Sequence, residues 1–86
     1  MASYVYLTCF YEEDGPECLR ATLNRACVGS MLPDHPFASE PTRAEAQAEL
    51  TRLLEKPDAE LAADDGRWSL NQRWGGYLLH VIRLED

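Results

Sequence analysis

Gly75-Gly76 stands between two runs that mix aromatic, aliphatic and polar residues, Arg67–Trp74 and Tyr77–Leu84. This pair constrains the fold more than any other feature of the chain. A two-residue hairpin connection needs positive φ at its centre, which glycine adopts without steric cost. The pattern predicts an antiparallel hairpin in which Trp74 faces Tyr77, Gln72 faces Leu79, Leu70 faces Val81 and Trp68 faces Arg83. The opposite face carries Ser69, Asn71 and Arg73 against Ile82, His80 and Leu78. The first face holds the larger apolar groups, so it is the one expected to pack against helices.

The segment from Ser3 to Tyr11 is dense in aromatic and β-branched residues and predicts a strand. Val5, Leu7, Cys9 and Tyr11 fall on one face, with Tyr4, Tyr6, Thr8 and Phe10 on the other. Asp14, Pro16 and Glu17 resemble a helix start, with a capping residue, a first-turn proline and a capping-box acid. Leu19, Leu23, Ala26 and Cys27 then follow helical spacing up to Gly29, predicting a first helix over residues 16–28. Three prolines mark residues 30–41 as a loop, with Met31, Leu32 and Phe37 folded onto the core. A second capping pattern at Thr42–Glu45 opens a helix with Ala46, Leu50, Leu53 and Leu54 on its apolar stripe, closed by Lys56-Pro57. Residues 58–63 add one further helical turn capped by Asp58. The expected fold is α+β in the order β-α-α-β-β, a three-stranded, mainly antiparallel sheet with two helices on one face.

The chain has 86 residues, enough for a single domain over 1–86 with one modest core. No apolar run approaches the roughly 20 residues of a membrane-spanning helix. Met1-Ala2-Ser3-Tyr4 lacks the basic and apolar regions of a secretory leader. Cys9, Cys18 and Cys27 are odd in number, so reduced thiols and a cytoplasmic home are expected. Net charge is −7 and unevenly spread: residues 34–65 hold nine acids against Arg43, Arg52 and Lys56, whereas residues 66–84 hold Arg67, Arg73 and Arg83 with no acid. Such a field repels phosphates over most of the surface and attracts cationic partners.

Motifs for chemistry are absent. There is no Gly-rich phosphate loop, nucleophile elbow or His-Glu-x-x-His, and the cysteines and histidines include no close pair of the kind zinc sites use. Cys27 with His35, or Cys9 beside His80 on neighbouring strands, are the only nucleophile–base arrangements worth naming. No catalytic residue, metal or cofactor is expected. Trp68, Trp74 and Tyr77 interleaved with Arg67 and Arg73 are residue types that stack bases and hold phosphates. The charge of −7 opposes that use, and inward packing accounts for the tryptophans, so no direct nucleic-acid contact is expected.

Protein binding is the positive expectation. Tyr4, Tyr6, Phe10 and Arg73 are candidate anchors, since aromatic and Arg side chains dominate interfaces. Asp58, Glu60, Asp64 and Asp65, with Glu45 and Glu49 on the second helix, are candidates for salt-sensitive capture of a basic surface. With the compact strand Tyr4–Tyr11, the acidic stretch Glu40–Asp65 and the closing hairpin Trp68–Leu84, the chain resembles the small phage-encoded anti-CRISPR inhibitors. The resemblance is one of size, acidity and lack of catalytic motifs. It implies an α+β domain that presents carboxylates to a basic nucleic-acid channel, with a Cas effector subunit among the possible partners, in the host cytoplasm. Two alternatives remain open: a homodimeric assembly protein paired through strand edges or the Tyr4/Tyr6 face, and a small cysteine-dependent redox protein. Monomer and homodimer are both compatible with the sequence.

Overall fold

Tyr4–Tyr11 forms a strand as its composition dictates, and the rest of the fold is organised around it. The computed structural model describes residues 3–36, 38–71 and 76–84. Phe37, Gln72, Arg73, Trp74 and Gly75, which figure in the expectations above, lie outside the described residues. The elements run β1 (Ser3–Glu12), β2 (Gly15–Thr22), a 3₁₀ segment (Arg25–Ser30), α1 (Glu40–Leu53), α2 (Asp58–Leu61), β3 (Arg67–Ser69) and β4 (Gly76–Leu84). The described strands form one antiparallel sheet in the order β2-β1-β4-β3.

The α+β class and the antiparallel sheet are as expected, but the sheet has four strands. The expected first helix is replaced by β2 and the 3₁₀ segment. Asp14-Gly15 belongs to a hairpin: Glu12 pairs with Gly15 and the chain reverses at Glu13-Asp14. A helix over residues 16–28 would have left β1 without a neighbour on that side. Pairing β2 there satisfies the backbone of the long aromatic strand on both edges. Leu19 and Leu23, expected in the core, are 59% and 71% exposed instead. Cys18 and Leu19 together oppose Cys9 in a bulge, where Cys18 takes a φ of 55°.

The closing hairpin keeps its expected faces with a different register. Trp68 pairs with Leu79 and Arg67 with His80, a slip of four residues from the two-residue turn. An even slip leaves every side chain on its original face. It also brings Leu70 beside Tyr77, whose carbonyl accepts the Leu70 N–H at 2.9 Å, and both residues are fully buried. Gly76 lies inside β4 rather than in the turn, and its lack of a side chain has another use. The Asn71 side-chain oxygen accepts the Tyr77 N–H at 2.8 Å, and a Cβ on Gly76 would stand 2.3 Å from that oxygen.

α1 forms as its periodicity requires. Ser39, not Thr42, supplies the cap: its hydroxyl accepts the Thr42 N–H, and Pro41 occupies the first turn. Ala46, Leu50 and Leu53 are at most 1% exposed. They pack with Val28, Leu32 and Leu61 onto the sheet face made by Tyr6, Phe10, Tyr77, Leu79 and Val81. The 31–36 loop is fastened across that face. Thr8 Oγ1 donates to Met31 O, Tyr77 Oη donates to Pro33 O, and Arg43 donates to both Leu32 O and Pro33 O. Helices and loops therefore cover one side of the sheet. Among the described residues no helix is long and apolar enough to cross a membrane.

Candidate functional site

Alternation along β1 decides which groups can meet a partner. Tyr6 and Phe10 lie on the covered face and are 3% and 1% exposed, while Tyr4 is partly buried against the same core. This corrects the expectation that Tyr4, Tyr6 and Phe10 are surface anchors: their rings are occupied in holding the helices. Trp68 is likewise engaged, packing on the core and donating Nε1–H to Leu61 O at 2.8 Å. Arg73 lies outside the described residues.

The acidic residues are positioned individually. The Asp58 carboxylate is held by the Arg25 guanidinium, which also donates to the carbonyls of Leu54 and Lys56 at the end of α1. The Tyr6 phenol also feels the Asp58 carboxylate. Burial, reinforced by that carboxylate, pushes the Tyr6 phenol up to about 12. Asp58 is thus a structural tie between β1, the 3₁₀ segment and the helices. Glu60 lies 3.5 Å from Lys56, Glu49 pairs with Arg52, and Asp34 lies 2.9 Å from Arg43. Asp65 accepts the Arg67 N–H, and Asp64 is exposed at a φ of 59°. Glu45 is exposed on α1. Exposed ion pairs of this kind add little stability, but they set a cation beside several of the carboxylates expected to confront a partner.

The opposite face of the sheet has no covering element among the described residues. It presents Val5, Leu7, Cys9 and Tyr11 from β1, Leu78, His80 and Ile82 from β4, and Leu19 from the β2 bulge. A cleft of about 440 Å³ opens there, walled by Leu7, Cys9, Tyr11, Leu19 and Leu78, with Arg67 and His80 as its polar members. Tyr11 is 51% exposed and Ile82 36%.

Cysteine chemistry on this face follows from burial. Cys9 is 4% exposed, and desolvation pushes its thiol up, the opposite of what a nucleophilic thiolate needs. His80 pairs across the ladder with Leu7, not with Cys9, and its Nε2 lies 3.0 Å from Asp65 O. Cys18 and Cys27 are exposed. A disulfide reagent is therefore expected to modify Cys18 and Cys27 rapidly in the native protein, with Cys9 following only on unfolding. Three equally fast thiols would contradict the placement of Cys9.

A second grouping lies at the β1–β2 turn, on the covered side. Phe10 and Glu17 are cross-strand partners, and Glu12 follows two residues after Phe10 on the same face. The loop lays His35 over them. Its imidazole stacks on Phe10 at 4.1 Å and 17° and is only 4% exposed. His35 Nε2 lies 2.6 Å from Glu17 Oε2 and 3.6 Å from Glu12 Oε1. Sequence reasoning missed this trio because Glu17 was assigned to a helix. The Asp14-Gly15 turn was the signal that would have folded Glu17 back beside Glu12.

Comparison with known proteins finds no matching family model, no matching curated protein and no matching solved structure.

Proposed function

We propose that this chain is a non-catalytic protein-binding domain that docks through the open face of its sheet. Its partner is a protein whose contact surface is apolar at the centre and basic around it. The observation that carries this reading is the apolar face itself, with Tyr11, Leu19 and Ile82 exposed around the cleft. Large contiguous apolar surfaces on small proteins mark contact sites. The four strands hold 10, 8, 3 and 9 residues, and at about 3.3 Å along and about 4.8 Å across per residue they make a face of about 480 Å². That is somewhat over half of the ~800 Å² each partner contributes to a standard interface, the size of a small contact.

Charge selects the partner. At a net −7, two copies of this chain repel one another, whereas a basic surface is drawn in. In the reading suggested by the resemblance to anti-CRISPR inhibitors, the basic surface is the nucleic-acid channel of the partner, and occupying it blocks nucleic-acid binding. The ion pairs at Asp58, Glu60 and Glu49 support a smaller electrostatic role than a dedicated phosphate mimic would have. The acids steer the encounter and the sheet face supplies the buried contact.

The test combines oligomeric state with capture. The purified protein is expected to be monomeric by light scattering. Immobilised in host extract, it should retain a basic nucleic-acid-handling protein that elutes as salt rises from about 0.1 to about 0.5 M. Reconstituted from purified components, that complex should weaken at least about tenfold with Leu19→Asp plus Ile82→Asp. A tight homodimer would assign the face to a second copy instead, and unchanged affinity of the double variant would remove the face from the interface.

A further inference from the structure

The trio at the β1–β2 turn has the composition and spacing of a metal centre. We propose that Glu12, Glu17 and His35 bind a divalent transition-metal ion, with Zn²⁺ as the probe, clipping the hairpin to the 31–36 loop. This site is separate from the open sheet face and does not depend on the docking reading.

The donor atoms of the three side chains all lie within 4.8 Å of one another. Metal bonds of about 2.0–2.2 Å to nitrogen and oxygen place neighbouring donors roughly 3.0–3.5 Å apart. His35 Nε2 and Glu12 Oε1, at 3.6 Å, stand just beyond that separation. The 2.6 Å approach of Glu17 has only to open by less than an ångström to admit an ion. Glu12 and Glu17 come from paired strands of one hairpin, so the two carboxylates converge without any change in the sheet.

The arrangement also favours an ion over a hydrogen bond alone. One imidazole N–H is strongly shared with only one carboxylate. The second carboxylate is then a like charge held close to the first, with a nearly buried ring between them. A divalent cation satisfies both carboxylates and the ring nitrogen together. The ring is pre-oriented: Phe10 fixes its plane by stacking, and its backbone is held by the Ala38 N–H to His35 O bond and by the anchored Leu32-Pro33 carbonyls. Such supporting contacts are what metal-binding histidines require. The imidazole selects against Ca²⁺ and Mg²⁺, which prefer all-oxygen shells, and favours Zn²⁺ and its neighbours. Three protein donors leave a coordination position for water or a partner's side chain.

The experiment uses the full chain carrying Cys18→Ser and Cys27→Ser, so that exposed thiols do not compete for the ion. Calorimetric titration with Zn²⁺ should give one site per chain. Saturating Zn²⁺ should raise Tm by at least about 5 °C, and Mg²⁺ should leave it unchanged. His35→Ala is a poor probe because the ring is part of the packing. The near-isosteric Glu12→Gln and Glu17→Gln carry the test, and each should weaken Zn²⁺ binding at least about tenfold while leaving the metal-free Tm nearly unchanged. Absence of binding, or binding indifferent to both substitutions, overturns the proposal.

Discussion

Gly66→Ala is expected to lower Tm by at least about 12 °C. Gly66 closes the turn between α2 and β3 at a φ of +67°, and its carbonyl accepts the Val81 N–H at 2.9 Å. A left-handed conformation alone costs an L-residue about 1–2 kcal/mol. The larger effect is steric: a Cβ would sit 2.1 Å from the Val81 carbonyl oxygen. That neighbour is backbone in a central strand and cannot swing aside, so β4 must shift or the Gly66–Val81 bond must break. Together these amount to about 3 kcal/mol or more, against roughly 4–13 kcal/mol of total stability for a domain of this size. At about 4–8 °C per kcal/mol, that gives the stated shift. Gly29→Ala is the matched control. Its added methyl would make an ordinary 3.7 Å contact with Leu54 and require no unusual φ, so the variant should melt at or slightly above the parent temperature. Thermal unfolding followed by circular dichroism separates the two. Similar melting of both variants would mean that the turn is not packed against β4.

How much of this was legible in the sequence depends on whether a signal was local. α1 was readable because Ala46, Leu50 and Leu53 repeat at helical spacing and all three reach the core. β1 was readable because its residues are strand formers throughout, and its alternation correctly separated Leu7 and Cys9 from Tyr6 and Phe10. Which of the two faces is covered was not readable, because both carry bulky groups. The answer is set by where α1 and the 31–36 loop land. Asp14-Gly15 was ambiguous in a different way: the same residues that cap a helix also turn a hairpin. The helical spacing of Leu19 and Leu23 favoured the helix, and the unpaired edge of β1 decided for the strand. That one substitution of element hid the Glu12–Glu17–His35 trio entirely.

The acidic stretch shows a third kind of limit. Its charge was exact from composition, but the partners were not, because the cation that ties Asp58 is Arg25, 33 residues away. Arg25 lies in the region read as the first helix, with nothing local to direct it to the end of α1. Its guanidinium meets two carbonyls there because the last turn of a helix leaves carbonyls without intrahelical donors. A carboxylate in that position completes the site.

Phe10→Ala and Tyr11→Ala, adjacent in sequence and opposite in face, test the division on which both proposals stand. Phe10 is 1% exposed, stacked on His35 and edge-on to Tyr77 at 5.1 Å. Truncating a buried Phe to Ala costs about 3–5 kcal/mol, because the lost transfer energy is joined by the cavity left behind. The variant should melt at least about 12 °C lower, if it folds, and Phe10→Leu should recover most of the loss. It should also bind Zn²⁺ more weakly, since the His35 ring loses the surface that fixes its plane. Tyr11 is half exposed on the open face, so Tyr11→Ala should change stability by no more than about 1 kcal/mol while weakening partner binding. Stability therefore follows one residue and recognition the other. If Tyr11→Ala destabilised the purified protein as much as Phe10→Ala, the face assigned to a partner would already be covered in solution. A second copy of the chain is what would cover it, and the melting temperature would then rise with protein concentration.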